Sequence, residues 1–452
     1  MAVAVGPESP LLALPDAPAC RAAIAVVATL EAAGFHAYLV GGCVRDLLLG
    51  AAPKDFDVAT AATPQQVSAL FSHVIAVGVA FGVVRVRVQE AGHWFELEVA
   101  TFRADGEYLD GRRPLDVRFT DAREDVLRRD FTINGLLCLP VQRQGQWYGL
   151  IEDFVGGRAD LQVGHIRAIG NPAARFAEDA LRLLRAVRFA ARLDFALEPA
   201  TATAIAAAAP TLAKVSVERI TQELVALLQD RHAGRGLHLL ASLGLGAVLW
   251  PDLLAADPGL HQATALLGAL HRQPVPHPAP AIALAVHALV AATPLADRWL
   301  SSAECQRTLR LANHERSALQ QLPPLLATAR QLGPRLWPQP GAAADALLWL
   351  RQPAAGMALR LLAALDAVAP PPAEAGLKWL ALLEIRRGLA PDVLRPVLTV
   401  TGDTLQSWGH KPGPAFRAAL AAAERVQLDG GDAAAAATAA HEALAAYKSV
   451  VD

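Results

Sequence analysis

Two aspartates and a pair of glycines are the residues of this chain whose types and spacing most clearly suggest chemistry. Asp55 and Asp57 stand two positions apart in a strand-like segment, so both carboxylates point to the same face. Two acids side by side repel each other, and such pairs usually hold a divalent metal ion. Upstream, Gly41 and Gly42 let the backbone approach a phosphate, and Arg45 follows one helical turn later with a guanidinium suited to phosphate oxygens. Each half alone would also fit a glycine-rich turn before a solvated acidic strand end, but together they favour a site that binds a metal and phosphate.

Strands and short helices must position these residues. The apolar run before the glycines predicts a strand, the segment after them predicts a short helix over 43–49, and the acids begin a second strand. Alternating apolar residues predict further strands over 83–88 and 94–102. Helical spacing over 21–33, and Thr63 followed by proline as a helix start, add two helices. The reading for residues 20–150 is therefore a small mixed sheet with a few helices.

The stretch YLVGGCVRDLLLGAAPKDFDVAT, residues 38–60, closely resembles the head motif of the DNA-polymerase-β-like nucleotidyltransferases. The resemblance is to the class II branch, which holds bacterial tRNA nucleotidyltransferases and poly(A) polymerases. It implies that Asp55 and Asp57 hold two Mg²⁺ ions and that Gly42 and Arg45 position a triphosphate. In this superfamily a third metal-binding acid can come from a later strand. Glu98 is the candidate by position and Asp130 the alternative, while a solvated strand acid explains Glu98 about as well.

A second signature of the same family is similar to the segment EDVLRRDFTINGL, residues 124–136. The resemblance implies that Arg129 contacts the triphosphate, because a planar guanidinium matches phosphate geometry. Arg128 is interpreted as a structural or solvated charge, and Asp130 and Asn134 as residues that order the site through hydrogen bonds. The segment between Arg103 and Thr120, rich in Gly, Asp and Arg, predicts a mobile loop or a short hairpin. In the resembling enzymes this loop helps to choose the incoming nucleotide.

The segment PAARFAEDALRLLRAVRFAARL, residues 172–193, predicts the clearest amphipathic helix of the chain. Its arginines step by three residues along one side, and an aspartate lies one turn before the first of them. A solvated helix face with an exposed Asp–Arg pair, worth about 0.3–0.5 kcal/mol, would explain this pattern without any function. The side chains of interest off the apolar stripe are Glu178, Asp179, Arg182, Arg185 and Arg188.

This helix also resembles the family's EDxxR motif, in which protein side chains rather than a nucleic-acid template read the incoming base. Asp179 would accept a hydrogen bond from the amino group that cytosine and adenine share, and Arg182 would donate to a ring acceptor. Wrong bases would leave these partners unpaired, which gives discrimination. Arg185 and Arg188 would reach the sugar or the triphosphate. The neck helix that follows, with its ERI–EL pattern, is similar to that of the family, and Arg219 within it is interpreted as a brace rather than a substrate contact.

Composition sets wider limits. Hydrophobic residues make up 53% of the 452 positions with heavy use of Ala and Leu, which favours a largely helical protein. The net charge of −2 gives no indication of a nucleic-acid partner, because the protein as a whole is not basic. Arginines are nevertheless dense between 103 and 192, and a local basic patch can bind RNA. The four cysteines form no CxxC pair, which argues against a zinc site or a disulfide framework. The N-terminus lacks the features of a signal peptide, and the apolar run 281–292 is too short to span a bilayer. We therefore expect a cytoplasmic protein with no membrane partner.

The predicted fold class is α+β: a polymerase-β-like head followed by an all-α neck, body and tail. The expected boundaries are 1–20 for a leader, 21–150 for the head, 151–235 for the neck, 236–390 for the body and 391–452 for the tail. Residues 280–330 are faintly similar to an HD phosphohydrolase domain whose metal doublet is replaced by His287-Ala288, and helical Leu/Ala patterning explains them as well. The GHKPGP segment, residues 409–414, resembles the class II tail motif that meets tRNA, and it also fits a tight turn that starts a helix.

The family resemblance implies a tRNA nucleotidyltransferase that adds CCA, or part of it, from CTP and ATP. A poly(A) polymerase and an enzyme that adds only CC or only A stay open, because EDxxR does not separate them. So does a catalytically inactive RNA-binding protein built on the same head. The residues do not settle the oligomeric state.

Overall fold

The fold is described from a computed structural model of the chain, which defines residues 11–78, 81–105, 117–250, 257–273, 310, 312–337, 343–370 and 379–451. The chain divides into two compact units, Met1–Pro251 and Asp252–Asp452. The first unit is a mixed α+β fold and the described part of the second is helical, as the sequence predicts for a head followed by helices. No helix in the described ranges has the length and apolar character needed to cross a membrane.

The first unit is built on one eight-stranded sheet with strand order β1-β10-β9-β2-β3-β6-β5-β4. β2 and β3 are antiparallel, whereas β3 and β6 run parallel, so the sheet is mixed. Two small two-stranded sheets, β7-β8 and β11-β12, hold the other paired strands of the residues that the structure describes. The strands are β1 Leu12–Ala13, β2 Ala37–Val40, β3 Asp57–Thr60, β4 Val74–Gly78, β5 Val83–Glu90, β6 His93–Thr101, β7 Arg103–Asp105, β8 Val117–Phe119, β9 Leu136–Arg143, β10 Gln146–Asp153, β11 His165–Ile166 and β12 Ala196–Leu197.

Eleven helices of the first unit lie in the described ranges, and short 3₁₀ turns at Thr132–Asn134 and Ala209–Lys214 accompany them. They are α1 Pro18–Ala32, α2 Gly42–Leu48, α3 Pro64–Leu70, α4 Ala122–Leu127, α5 Gly157–Val163, α6 Pro172–Glu178, α7 Leu181–Leu193, α8 Pro199–Ala208, α9 Val217–Leu228, α10 Ala233–Ser242 and α11 Leu245–Leu249.

Alternation along β5 and β6 decides which face of the sheet is covered. Val84, Val86, Leu97 and Val99 are buried on one face, where α1 packs across the strands. Most of the intervening residues, among them Arg85, Arg87, Glu96 and Glu98, are exposed on the opposite face. Thr63 begins α3 with a reciprocal capping box to Gln66, as its sequence indicates.

The second unit is all helical in its described residues and contains two main apolar clusters. One joins α13 to α16 around Trp349 and Trp379, and the other joins α18 to α20 around Phe416. Its helices are α12 Asp257–His271, α13 Asn313–Leu332, α14 Ala344–Leu350, α15 Ala355–Val368, α16 Trp379–Gly388, α17 Pro391–Leu394, α18 Gly402–Ser407, α19 Pro414–Leu428 and α20 Ala433–Val451.

The structure departs from the sequence prediction in the segment 172–193, which is not one helix. α6 ends at Glu178, and Asp179 adopts an extended conformation (φ −149°, ψ 103°) before α7 begins at Leu181. The prediction of a continuous helix is therefore wrong. The apolar periodicity continues through both α6 and α7, so it gave no sign of the break between them. The ends of the predicted 103–120 hairpin pair as β7 and β8, while the tip and the His287-Ala288 doublet lie outside the described residues.

Candidate active site

A cavity of about 600 Å³ opens in the first unit, a size typical of small-ligand sites. Two residues that the sequence analysis considers, Glu98 and Glu178, do not line the cavity. The cavity brings together the nine residues assigned there to the metal, the triphosphate, the sugar or the base, namely Gly42, Arg45, Asp55, Asp57, Arg129, Asp179, Arg182, Arg185 and Arg188. Its lining is Gly41, Gly42, Arg45, Asp55, Asp57, Arg128, Arg129, Asp130, Asn134, Asp179, Arg182, Arg185, Arg188 and Phe189. Six arginines and four aspartates around one cavity suit a highly charged ligand.

Of the two acids only Asp57 lies in β3, and Asp55 lies in the loop from α2, two residues before the strand begins; the prediction that both belong to one strand is therefore wrong for Asp55. Asp57 is the first residue of β3, and the parallel pairing with β6 places Glu98 directly beside it. Asp57 is exposed to the cavity, yet neighbouring protein displaces water from its carboxylate. Burial first, and then repulsion by Glu98 and Asp55, raise the pKa of Asp57 to about 6 against the opposing pull of Arg129. A cation at this place would relieve that repulsion, and carboxylate oxygens are the ligands that Mg²⁺ prefers.

The third acid is not fixed by the described residues, among which no cluster of three or more metal-binding side chains occurs. Glu98 is next to Asp57 in register and exposed. The alternative, Asp130, has both oxygens in use: Oδ2 accepts from Arg185 Nε and Nη2 at 2.9 and 2.6 Å, and Oδ1 accepts from Asn134 and the Phe131 backbone. Burial alone would raise the pKa of Asp130, but Arg185 above all holds it below its ordinary value. Asp130 thus acts as an anchor for Arg185, which favours Glu98 as the candidate.

The glycine pair shapes the cavity wall between β2 and α2. Gly41 has φ +72° and ψ −132°, a conformation that a residue with a Cβ rarely adopts. A Cβ at Gly41 would lie 3.5 Å from Arg129 Nη1, so the missing side chain also makes room for that guanidinium. The backbone and Arg129 therefore face the cavity side by side.

The guanidinium of Arg45 is held in place by hydrogen bonds to other side chains. It is buried, Nε and Nη2 donate to Asp46 at 2.8 and 2.7 Å, and Nη1 donates to Asn134 at 2.7 Å. It lines the cavity as a fixed positive charge rather than as a free arm.

Arg128 and Arg129 share one buried carboxylate. Arg128 donates to Asp125 Oδ1 at 2.6 Å and Arg129 donates to Oδ2 at 2.9 Å. Burial would raise the pKa of Asp125, but the guanidiniums of Arg129 and Arg128 lower it below its usual range. Asp125 thereby fixes the direction of Arg129, and Arg128 has the structural role that the sequence analysis gives it.

Removing the Asp125 charge should be strongly destabilising. We expect Asp125→Asn to lower the free energy of unfolding at pH 7 by about 3–5 kcal/mol, because two arginines lose a buried partner. The folded-state pKa is depressed, so the contribution is present above the unfolded pKa near 4 and is lost as pH falls through the folded value. The difference between Asp125→Asn and wild type in urea unfolding should therefore shrink progressively as the pH falls below about 5. A difference independent of pH would contradict the charge pairing.

The residues proposed to read the base lie at the break between α6 and α7. The carboxylate of Asp179 accepts from Arg219 Nη1 at 3.1 Å and Nη2 at 2.7 Å, and from the backbone N–H of Leu181 at 3.1 Å. Arg182 donates to Glu178 at 2.6 Å and to two backbone carbonyls, those of Arg175 and Arg128. The partner of Asp179 is therefore Arg219, not Arg182.

Sequence reasoning missed Glu223 of α9, and it interpreted Arg219 only as a brace without finding its contact with Asp179. Arg219 holds Asp179, and Glu223 accepts from Arg188 Nε at 2.6 Å and lies 3.7 Å from Arg185 Nη1. Their i, i+4 spacing off the apolar stripe of α9 was the available signal, but its long-range partners do not follow from sequence. The pair makes Arg219 more than a brace of the neck.

Phe189 supports three of the cavity arginines. The guanidinium carbons of Arg188, Arg45 and Arg185 lie 4.4, 5.2 and 5.3 Å from its ring centroid. Distances within about 6 Å allow a cation–π attraction. An apolar ring thus helps to concentrate positive charge at one wall of the cavity.

Comparison with known proteins identifies the family. Residues 37–167 match the family described as "Poly A polymerase head domain", and residues 194–257 match "Probable RNA and SrmB- binding site of polymerase A". Curated CCA-adding enzymes of Geobacillus stearothermophilus and Oceanobacillus iheyensis are 44% and 45% identical over 249 and 221 residues. Those alignments cover 55% and 49% of this chain but only 59% and 52% of the relatives, so the chain spans little more than half of their length.

Solved structures extend the likeness over nearly the whole chain. A crystal structure of the Bacillus stearothermophilus CCA-adding enzyme in complex with CTP is 32% identical with a TM-score of 0.70, over 92% of this chain and 94% of the other. The Thermotoga maritima CCA-adding enzyme complexed with tRNA, at 18% identity and a TM-score of 0.59, shares the fold over 96% of each chain. By its sequence and its fold, this chain belongs to the family of CCA-adding enzymes.

Proposed function

We propose that this protein is a tRNA nucleotidyltransferase that adds CCA, or part of it, to tRNA 3′ ends from CTP and ATP without a nucleic-acid template. One observation carries the proposal: a single cavity is lined both by the acid pair Asp55 and Asp57 and by the Asp179 and Arg182 side chains. The first pair suits phosphoryl chemistry and the second suits recognition of a base. Relatives whose structures were solved with CTP and with tRNA support the same substrates.

The triphosphate would lie against the arginine-rich wall. Arg129, directed by Asp125, and the Gly41-Gly42 backbone face the same part of the cavity. Arg45 adds a fixed charge, and we assign Arg185 and Arg188 to the sugar or the phosphates. Because these guanidiniums are already oriented by Asp130 and Glu223, little reorganisation is needed when phosphate charge develops.

The acid pair would hold the metal. We assign two Mg²⁺ ions to Asp55 and Asp57, with Glu98 as the candidate third acid. When bound, such ions activate the attacking 3′ hydroxyl of the RNA and neutralise charge on the leaving pyrophosphate. The contribution of the chain is to keep two carboxylates side by side at the start of β3.

Base selection would use the break between α6 and α7. Each carboxylate oxygen has two acceptor positions, and Asp179 uses three of its four for Arg219 and the Leu181 N–H. The remaining position can accept from the amino group of cytosine or adenine. Uracil presents a carbonyl there, which the carboxylate would repel.

The remaining assignments concern RNA binding and location. We propose that head, neck, body and tail follow the boundaries 21–150, 151–235, 236–390 and 391–452, and that the GHKPGP turn before α19 contacts the tRNA arm. RNA bound by shape and phosphate contacts should dissociate more readily as salt rises. A cytoplasmic location is part of the same proposal.

An incorporation assay tests the function and the product together. Purified protein would receive a tRNA transcript that ends before CCA, with CTP, ATP or both, and products would be resolved at single-nucleotide length. We expect two C residues with CTP alone and a complete CCA with both nucleotides. Addition of A only to a transcript ending in CC would restrict the product, and sustained adenylation of unrelated RNA would indicate a poly(A) polymerase. Failure to extend any RNA would overturn the proposal.

A further inference from the structure

The exposed face of β4, β5 and β6 continues the active site across the sheet. The register forms one row of neighbours that starts at the acid pair: Asp57 in β3, Glu98 in β6, Arg85 in β5 and Ile75 in β4. With strands about 4.8 Å apart, Arg85 is about 10 Å from Asp57 across the sheet. A surface that begins at a reacting centre and extends in register from it is placed to bind part of a substrate.

The geometry of the reaction indicates which substrate this is. In nucleotidyl transfer the attacking and leaving oxygens are roughly in line on opposite sides of the phosphorus. The arginine wall, with Arg45, Arg129 and Arg185, holds the leaving side and belongs to α2, α4 and α7 and the segments that follow them. The attacking hydroxyl must therefore approach from the opposite side of Asp57, where β6, β5 and β4 lie. This step rests on the proposed function.

The face carries the groups that single-stranded RNA requires. Trp94, on the same face of β6 as Glu98, has 48% of its surface exposed, and Ile75 of β4, the register neighbour of Arg85, is 43% exposed. The Arg87 guanidinium lies 5.1 Å from the Trp94 ring centroid, and the His73 ring meets the indole edge-on at 5.0 Å. These contacts hold the indole in place. Aromatic rings on which bases stack, beside cations for the backbone, are the usual platform for single-stranded nucleic acid.

The charges of this face are balanced until a ligand binds. Glu96 pairs with Arg87 at 3.3 Å, and Glu98 is opposite Arg85 in register. If Glu98 turns to a metal ion at Asp57, the positive charge of Arg85 is left for a phosphate. The face thus becomes more suited to RNA when the acid pair is occupied.

We propose that the exposed face of β4–β6 binds the unpaired 3′-terminal nucleotides of the RNA substrate. Arg85 contacts a backbone phosphate next to the reacting end, and Trp94 stacks on a base further upstream. The face selects no sequence, because stacking and phosphate contact accept any base. It thereby keeps the growing 3′ end against the acid pair while its length changes.

Substitutions of Trp94 and Arg85 test the proposal in the full-length protein. We expect Trp94→Ala to raise the dissociation constant and the KM for tRNA that ends after the first C of CCA at least about fivefold, while Trp94→Phe stays within about twofold of wild type. The KM for CTP should not change. Arg85→Ala should weaken RNA binding and reduce the slope of log Kd against log salt by about 0.7, the value for one phosphate of a single strand. Thermal melting of each variant checks the fold.

The controls separate this surface from the rest of the protein. Arg143→Ala removes an exposed arginine from β9 of the same sheet and should leave both the affinity and the salt slope unchanged. With tRNA trimmed back to its last base pair, wild type and Trp94→Ala should bind equally, because no unpaired nucleotide is left to stack. If Trp94→Ala and Arg85→Ala bind RNA as tightly as wild type does, the proposal that this face binds RNA is wrong, even if wild type transfers nucleotides. If wild type transfers none, the proposed function fails and the RNA dissociation constants still decide the surface.

Discussion

Replacing either aspartate of the acid pair should abolish nucleotide transfer while RNA binding persists. We expect Asp55→Asn and Asp57→Asn each to lower kcat for CMP incorporation at least about 10³-fold, because metal-held charge stabilisation supplies several kcal/mol and 1.4 kcal/mol is a factor of ten. The substitution keeps the shape and removes the charge. The dissociation constant for tRNA should change less than about threefold, since the proposed RNA contacts lie on other surfaces. Rates at several Mg²⁺ concentrations and filter-binding affinities measure both effects.

A control variant at an exposed aspartate tests whether the effect is specific to the acid pair. Asp16→Asn removes a highly exposed carboxylate of the same unit, which pairs with Arg21, and should leave transfer unchanged. Transfer by Asp55→Asn or Asp57→Asn at the wild-type rate would contradict the metal assignment. A wild-type protein that binds tRNA but transfers nothing would instead favour the reading of an inactive RNA-binding protein built on this head.

The residues of the site follow from sequence more completely than their contacts. Each of the nine residues assigned to the metal, the triphosphate, the sugar or the base lines the cavity. Helical steps account for Arg182, Arg185 and Arg188, whereas Asp55 lies two residues before β3 begins, so strand alternation does not account for its direction. The sheet with helices also follows from alternation and from turn signals. These patterns specify on which face of its own helix or strand each side chain lies.

Sequence patterns of this kind do not predict contacts between segments that are distant along the chain. Asp179 breaks the predicted helix because its carboxylate accepts from the Leu181 N–H and from Arg219, a residue 40 positions later. Helical periodicity describes 172–193 equally well with or without that break. The anchors Asp125, Asp130 and Glu223 likewise gain their roles only when α4, α7 and α9 meet. Sequence thus predicted which residues line the cavity, and the fold determines which residues hold them in place.

Under the proposed function, this division lets the arginine wall act as a template. A flexible arginine beside a nucleotide would loosely neutralise phosphate and accept any base. Here each guanidinium is fixed by a second group: Arg182 by Glu178, Arg185 by Asp130 and Arg188 by Glu223. Fixed donors and acceptors penalise a base that does not match them, because the unmatched group remains desolvated and unpaired.

Changes at Asp179 should therefore alter which nucleotide is accepted rather than only the rate. We expect Asp179→Ala to lower kcat/KM for CTP and for ATP by roughly 10–100-fold, the cost of one hydrogen bond to a charged group. UTP, which gains nothing from the carboxylate, should lose much less. Asp179→Asn should change the preference between nucleotides more strongly, because its amide can donate a hydrogen bond to the uracil carbonyl. We expect its preference for CTP over UTP to fall at least about tenfold below that of wild type.

Competition assays with paired nucleotides on one tRNA measure these preferences directly. Asp194→Asn is the matched control, because it changes an exposed aspartate just beyond the other end of α7, at a φ of +58° that asparagine also tolerates. It should leave the CTP-to-UTP ratio at the wild-type value. If Asp179→Ala and Asp179→Asn lose activity equally for CTP and UTP, then Asp179 supports the fold of the α6–α7 break and the base is read elsewhere. If the ratio falls as expected, a single carboxylate held by Arg219 performs the part that a template base performs in other polymerases.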